Sequence, residues 1–548
     1  MNAPRITNIA ALMEQRAAET PYQRAVVFPE SRDANGNVCW THLSFAQLNA
    51  LTDEYARGFV AAGMRSGDRV SLLVKPCLEF IPLVFAVFKV GALPVLIDPG
   101  MGLKGFLSCI GRIKPRVLIG EPMAQALRLV FRKAFGSVEV TITNGKSTMF
   151  WGGVTLEGCR VASDTPFPTA PVKPEDEAAI LFTSGSTGPA KGVTYTHGIF
   201  STQTHLIQQT YGIKAGEVDL ACFPLFGLFS MAMGMTVVIP DMDPTKPAQA
   251  DPVKLIEAIE ANGCTSAFGS PAIWKNMALH AREHGLKLPS MKRILMAGAP
   301  VPVWMHEAFQ EIFENNAQLH TPYGATESLP VASIGSHEVL TDTARRTRAG
   351  EGTCVGHPVA GIEIAIIGIT DAVIERWSDD LQVSPGEVGE LCVRGAQVTP
   401  EYKDLPEHTA KAKIYGSNGA FWHRMGDLAY QDDQGRLWFC GRKSHRVQLS
   451  CGSLVFPVPC EGVFNEHPEV YRTAMVGVNG EAVLVVELEP TASTPQETII
   501  EELLKIGASN PKTVHIQRFL FHAGFPVDVR HNAKIRRLDL AEWAGNQA

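Results

Sequence analysis

The spacing of hydrophobic positions divides the chain into short alternating elements. Between Ser44 and Ala62, Leu48, Leu51, Tyr55 and Phe59 recur at helical spacing, Ser44 and Gln47 fit a capping box, and Gly63 can end the helix. Arg69 to Val74 then reads as a strand and Leu78 to Val90 as a helix with a strongly apolar face. Ala92 to Asp98 reads as a second strand, closed by Pro99-Gly100. Residues 142 to 177 interrupt this rhythm with Pro166, Pro168, Pro171 and Pro174, and read as a loop. The loop leads into an apolar strand, Ala178 to Phe182, ending on Thr183. The alternation returns with helix Pro252 to Asn262, strand Thr265 to Gly269, helix Ala272 to Glu283 and strand Arg293 to Met296. Strand–helix–strand alternation predicts a parallel, layered α/β fold.

From about residue 350 the pattern changes to short strands and Gly-Glu-Val-Gly turns, as at Gly389 to Arg394 and Gly435 to Cys440. That predicts a smaller β-rich subdomain over about 350–440. After Gly441-Arg442-Lys443 comes a compact unit of roughly a hundred residues, the size of a small domain. The expected division is 1–443 and 444–548, and a chain of 548 residues is indeed too long for one hydrophobic core.

Leu220 to Pro240 runs 21 residues without a charge, long enough to cross a bilayer. Pro224 and Gly227 lie near its start, and its ends carry Asp219 and Asp241 rather than Lys or Arg, so a buried core helix or the wall of an apolar pocket is expected and no transmembrane segment.

Bulk composition narrows the class. Hydrophobic content of 45% and charged content of 19% describe an ordinary globular protein. A net charge of −7 argues against a general affinity for nucleic acid or anionic membrane. The eleven cysteines are scattered with no CxxC, which points away from disulfides and zinc and toward a cytoplasmic location. The first twenty residues meet charge too early and too often for a signal peptide.

The densest candidate chemistry is Thr183-Ser184-Gly185-Ser186-Thr187-Gly188-Pro189-Ala190-Lys191-Gly192. It packs three glycines, four hydroxyls, a proline and a lysine into ten residues. Glycines let backbone N–H groups turn toward an oxyanion, hydroxyls add donors, and the lysine brings a mobile positive charge. The string is a phosphate cradle, although it matches neither GxxxxGK[ST] nor GxGxxG. Downstream, Ala297-Gly298-Ala299-Pro300 follows a strand with small residues that let a flat ring approach the backbone. In Thr321-Pro322-Tyr323-Gly324-Ala325-Thr326-Glu327 an aromatic can stack on a base, a hydroxyl can reach phosphate and a carboxylate can hold Mg²⁺. Arg424-Met425-Gly426-Asp427 offers a carboxylate for two ribose hydroxyls, and Arg442 follows fifteen residues on. Asp528 to Ile535 puts Lys534 in a basic, turn-like stretch. Taken singly, several of these read equally well as plain turns, solvated carboxylates or surface ion pairs.

Together and in this order, the TSGSTGPAKG loop, YGATE, RMGD, GRK and the C-terminal lysine resemble the adenylate-forming superfamily of acyl-CoA synthetases, luciferases and adenylation domains over nearly the whole chain. The resemblance implies a large N-terminal domain of layered α/β subdomains plus a β-rich subdomain, with a small mobile α+β C-terminal domain. It implies ATP and Mg²⁺ as cofactors and a carboxylic acid as substrate. By the same resemblance Thr183, Ser184, Gly185, Ser186, Thr187, Gly188 and Lys191 hold the triphosphate, and Gly298, Ala299 and Pro300 border adenine. Tyr323 and Gly324 face the base, Thr326 touches phosphate, Glu327 positions the metal, and Asp427 and Arg442 take the ribose. Lys534 serves the adenylation step, so Lys534, Thr326 and Lys191 are the expected catalytic residues.

Three departures bear on the second half-reaction: Gly227 stands where the family often has histidine, Ser444-His445 occupy the hinge, and Ala533 replaces the usual glycine before Lys534. They put transfer to coenzyme A in doubt. FTSGSTGPAKGV, TPYGATESLPV and FPVDVRHNAKI resemble most the β-lactone synthetases of bacterial long-chain olefin biosynthesis. The implied reaction is adenylation of a long-chain 2-alkyl-3-hydroxy fatty acid and closure of a β-lactone by its own 3-hydroxyl. The implied neighbours are the pathway's ketoreductase and decarboxylase. No base for the hydroxyl can be named; His197, His320 and His445 are candidates, each with a structural reading. Phe223, Phe226, Phe229, Met231, Met233 and Met235 fit an acyl tunnel and a plain core equally well. A long-chain acyl-CoA synthetase is the alternative, separated by coenzyme A dependence. A non-catalytic nucleotide-binding scaffold is a third, disfavoured by the retained Lys191, Glu327, Asp427, Arg442 and Lys534.

Overall fold

The computed structural model describes residues 8–97, 101–146, 148–183, 190–417, 419–527 and 534–547. Its first sheet has seven strands, in the spatial order Val154–Thr155, Val140–Thr143, Val117–Gly120, Arg69–Leu73, Leu93–Leu96, Glu177–Thr183 and Lys191–Thr196. All neighbours are parallel except the last pair, an antiparallel hairpin. A second, fourteen-stranded sheet has a parallel centre of Thr236–Val238, Val218–Ala221, Ser266–Gly269, Arg293–Met296 and Gln318–Ala325. The fold is α/β, as the alternation predicts.

Local rules place the helices. Helix Phe45–Ala61 begins with the expected capping box: Gln47 N donates to Ser44 Oγ at 3.3 Å and Ser44 N donates to Gln47 Oε1 at 2.8 Å. Such a cap contributes about 1 kcal/mol. Helix Phe80–Val90 is apolar all round and wholly buried. It lies in a core shared by Val70 and Val117 of the first sheet and Val26 and Val237 of the second. Its one charge, Lys89, is bound by Asp53 and by Glu14 at 2.8 Å, which makes burial of the ammonium tolerable.

Two expectations need correction. Residues 142–177 are not one loop: they hold the end of strand Val140–Thr143, strand Val154–Thr155 and a 3-10 turn at Glu157–Cys159. The two strands are fixed by pairing rather than by any periodicity of their own: Val140–Thr143 lies against Val117–Gly120, and Val154–Thr155 against Val140–Thr143. Nor is Leu220–Pro240 one buried helix. It splits into strand Val218–Ala221, helix Gly227–Ala232 and strand Thr236–Val238, buried because both strands are central in the sheet. Among the described residues no helix is long and apolar enough to cross a membrane.

The β-rich region is continuous with the second sheet. Strand Ser328–Gly335 pairs with Thr353–Pro358, and antiparallel strands Leu437–Arg442, Phe421–Gln431, Gly389–Arg394 and Glu363–Ile367 follow. Beyond it, Val470–Val478, Glu481–Leu488 and Arg518–Phe521 form a separate three-stranded sheet with its own core around Phe464, Leu484 and Leu503. Helix Pro457–Phe464 of this unit packs against Thr347–Glu351 and strand Leu437–Arg442, and polar contacts add to that packing. Lys512 Nζ donates to the Gly350 carbonyl at 2.7 Å, Asn510 Nδ2 to the Ala349 carbonyl at 2.8 Å, and Arg348 pairs with Glu466 at 3.3 Å.

Candidate active site

Strands Glu177–Thr183 and Lys191–Thr196 place Thr183 opposite Lys191, so the two ends of the expected phosphate loop meet. Ser184, Gly185, Ser186, Thr187 and Gly188 lie outside the described residues, as does the side chain of Thr183. Lys191 Nζ stands 4.8 Å from the centroid of the Tyr402 ring, a cation–π contact. Burial lowers its pKa below the ordinary lysine value, with Glu327 opposing that shift.

Thr326 and Glu327 form the two-residue turn between strands Gln318–Ala325 and Ser328–Gly335. At Gly324 a Cβ would stand 2.7 Å from the Ser328 carbonyl oxygen, so the glycine is required by the approach of the two hairpin strands. Three neighbours fix the turn. Tyr195 Oη donates to the Thr326 carbonyl at 2.8 Å, Tyr402 Oη donates to Glu327 Oε1 at 2.8 Å, and Thr399 N donates to the Glu327 carbonyl at 2.8 Å. Behind it, the buried Lys413 amine donates to the Thr399 carbonyl, and burial pushes its pKa down to about 7.

Asp427 and Arg442 are cross-strand partners on Phe421–Gln431 and Leu437–Arg442. Asp427 is buried; Arg442 Nη1 lies 3.0 Å from its Oδ1, and Tyr323 Oη donates to its Oδ2. Burial raises the Asp427 pKa, while Arg442, the Tyr323 hydroxyl and the charge of Lys534 act in the opposite direction. The charge of Lys534, from the C-terminal unit, is thus felt at Asp427. Ala299 is half-buried, whereas Gly298, with φ of 94°, and Pro300 are exposed. They follow Arg293–Met296, whose parallel pairing with Gln318–Ala325 ends at Leu295 and His320, so this bend and Tyr323, which stays in the sheet through Ala332, lie toward the same carboxyl edge. In open α/β sheets that edge is where ligands bind.

The structure thus joins Lys191, Thr326, Glu327, Tyr323, Asp427, Arg442 and Lys534, residues from five separate stretches, in one linked set of contacts and charges. Among the described residues no three His, Cys, Asp or Glu side chains gather as a metal site. Mg²⁺ typically uses one or two carboxylates with waters and phosphate oxygens, so the single carboxylate of Glu327 fits it.

The AMP-binding enzyme family matches residues 13–403. The chain belongs to that family. It is an ATP-dependent adenylate-forming ligase, 44% identical to the olefin beta-lactone synthetase of Xanthomonas campestris pv. campestris over 99% of this chain and 98% of that protein. It is also 44% identical to the olefin beta-lactone synthetase of Stenotrophomonas maltophilia, over 99% of both. Among solved structures, the amide bond synthetase McbA from Marinactinospora thermotolerans shares the fold with a TM-score of 0.80 at 23% identity, covering 98% of this chain and 99% of that one.

Sequence reasoning missed Tyr195, Thr399, Tyr402 and Lys413 in this ligase. None sits in a recognisable string; Tyr195, Thr399 and Tyr402 bond the backbone or carboxylate of the Thr326-Glu327 turn, and Lys413 bonds the Thr399 carbonyl behind it. The histidines separate clearly. His197 Nδ1 accepts the Ile9 N–H at 3.1 Å in the core, and burial lowers its pKa to about 4. His320 packs edge-on against Tyr211, also with its pKa lowered to about 4 by burial, and burial takes His445 to about 3. Met231, Met233 and Met235 are fully buried core, as is Phe229. Phe223 and Phe226 are only partly buried, and Phe226 stacks on Phe268 with ring centroids 3.6 Å apart. At Gly227 a Cβ would already stand 3.1 Å from Val237, leaving little room for the imidazole that the family often carries there.

Proposed function

We propose that this ligase adenylates a long-chain 2-alkyl-3-hydroxy fatty acid and then closes a β-lactone, releasing AMP and pyrophosphate, in long-chain olefin biosynthesis. The observation that carries the reading is 44% identity across nearly the whole chain to proteins named for this activity. The chemistry is coherent. A carboxylate is a poor electrophile because oxide would have to leave; attack of its oxygen on the α-phosphate expels pyrophosphate and leaves an acyl-AMP. The 3-hydroxyl oxygen then bonds to the acyl carbon, the bond from that carbon to AMP breaks, and the hydroxyl proton is lost. Intramolecular attack gains the proximity advantage and needs no external thiol.

In this reading residues 183–191 hold the triphosphate, with Lys191 set against Tyr402. Gly298 to Pro300 and Tyr323 border adenine, and Gly324 lets the hairpin close beneath it. Asp427 and Arg442 take the ribose, Thr326 the phosphate, and Lys534 offsets charge developing at the α-phosphate. Glu327 would hold Mg²⁺, which when bound offsets phosphate charge. The partly buried Phe223, Phe226 and Phe268 are the proposed start of the acyl site. The unit 444–548 is proposed to move about Lys443-Ser444-His445. A cytoplasmic location, with a ketoreductase supplying the acid and a decarboxylase consuming the lactone, completes the proposal.

The test is a mass-resolved product assay with ATP, Mg²⁺ and a 2-alkyl-3-hydroxy acid, with and without coenzyme A. Product lighter than the acid by one water, formed equally in both, supports lactone closure. A thioester formed only with coenzyme A would overturn it in favour of an acyl-CoA synthetase.

A further inference from the structure

Between strands Ser328–Gly335 and Thr353–Pro358 the chain runs in a helical stretch, 336–351. It contains a π-helical turn at Val339–Thr343 and leaves helical geometry at Gly350, with φ of 83°. Such wide turns are rare and cluster at functional sites. Side chains fix this stretch to one hairpin, whose turn between strands Phe421–Gln431 and Leu437–Arg442 carries Asp432 and Arg436. Arg436 Nη1 lies 2.7 Å from Asp342 Oδ2, while Arg346 binds Asp432 at 3.1 Å and Glu351 at 2.6 Å. Tyr430 Oη donates to the Glu351 carbonyl at 3.0 Å. Arg436 is 1% exposed, so its ion pairs escape the screening that weakens surface pairs. The same two strands carry Asp427 and Arg442, the pair given to the ribose above.

The end of this stretch receives the C-terminal unit at close backbone range. A Cβ on Gly462, in helix Pro457–Phe464, would stand 2.6 Å from the Thr347 carbonyl oxygen, and one on Gly350 would stand 3.2 Å from the Pro459 carbonyl oxygen. Asn510 and Lys512 donate to the Ala349 and Gly350 carbonyls. Next to Gly462, Glu461 binds Arg537 through both carboxylate oxygens, at 2.5 and 2.8 Å, and accepts the Met475 N–H at 2.7 Å. Arg537 begins helix Arg537–Gly545, three residues after Lys534. A continuous frame therefore runs from the hairpin of Asp427 and Arg442 through 336–351, Gly462 and Glu461 to Arg537. It holds the arrangement in which the Lys534 charge is felt at Asp427. We propose, on the adenylation role given to Lys534 above, that residues 336–351 form a seat that positions Lys534 for that step, with Gly462 and Glu461 as positioning residues. Movement of the unit about Lys443-Ser444-His445 then means leaving this seat.

The experiment is Gly462→Ala in the full chain. Alanine suits a helix interior better than glycine, so the unit keeps its own fold, while the added methyl meets the Thr347 carbonyl and lifts the helix off the seat. Acid-dependent ATP–pyrophosphate exchange is expected to lose roughly 100-fold in kcat, the effect of misplacing a reacting group by about 1 Å, with KM for ATP unchanged. N510A/K512A, which removes two donors to the seat without touching the core, should show the same split with a smaller loss. Lys534→Ala is measured beside them. Full exchange in Gly462→Ala and N510A/K512A, alongside loss in Lys534→Ala, would overturn the seat and leave the role of Lys534 standing. Full exchange in Lys534→Ala would remove that role and the seat with it. A raised KM for ATP with kcat unchanged would also overturn the proposal, since 336–351 would then serve binding rather than the placement of Lys534.

Discussion

Replacing Tyr323 with phenylalanine removes one oxygen and leaves the ring. That oxygen donates to Asp427 Oδ2, in a site where the carboxylate is buried and otherwise faces Arg442 at 3.0 Å. A hydrogen bond to a charged group is worth about 1.5–3 kcal/mol, so Tyr323→Phe should lower stability at neutral pH by about that amount. The pH dependence gives a sharper signature. Burial raises the Asp427 pKa above its ordinary 3.8, and the Tyr323 hydroxyl partly counteracts the rise. Stability linked to Asp427 is therefore greatest below 3.8 and falls as pH rises through the folded-state value. Without the hydroxyl the folded-state value moves higher still and the fall extends further. The mutational penalty should thus grow from mildly acid to neutral pH, because the hydroxyl favours only the ionised carboxylate. Denaturant unfolding of wild type, Tyr323→Phe, Asp427→Asn and the double variant at several pH values measures this. In Asp427→Asn the Tyr323→Phe penalty should shrink to about 1 kcal/mol or less and lose its pH dependence. A Tyr323→Phe penalty that is absent, or independent of pH, would refute the reasoning.

Other predictions concern the ends of the site. Lys534→Ala should abolish acid-dependent pyrophosphate release while leaving ATP binding largely intact; equal release by mutant and wild type would remove Lys534 from the adenylation step. Glu327→Gln keeps an oxygen for the Tyr402 hydroxyl but loses the charge, so pyrophosphate release should require much more Mg²⁺. An unchanged Mg²⁺ titration would count against Glu327 as the metal residue. Met231→Ala, at a fully buried position, should cost about 2–5 kcal/mol of stability without altering acyl-chain preference. Phe226→Ala should shift chain-length preference, and the reverse pattern in competition assays would exchange the two assignments.

Much of this protein was legible without coordinates, for physical reasons. The capping box at Ser44 and Gln47 appears as read, because it is a contact between residues three apart. Helix Pro252–Asn262 and strands Arg293–Met296 and Gly389–Arg394 fall at the positions the pattern assigns. The strings proposed to face the ligand were visible because each gathers several candidate groups within a few residues of one turn, as at Tyr323 to Glu327. What sequence could not supply was anything resting on distant pairing. Strand Val154–Thr155 exists because Val140–Thr143 lies beside it, and Leu220–Pro240 is buried by sheet position rather than by helical character. The methionines at 231, 233 and 235 became core, and Phe226 part of a stack, only when the second sheet closed around them. The pairing of Asp427 with Arg442, the seat of Glu327 on Tyr402 and the influence of the Lys534 charge on Asp427 are tertiary in the same sense. Sequence determined which groups were available, since their chemistry resides in single side chains. Only the fold decided which of them share a low-dielectric site, because burial and charge proximity are properties of the packed chain.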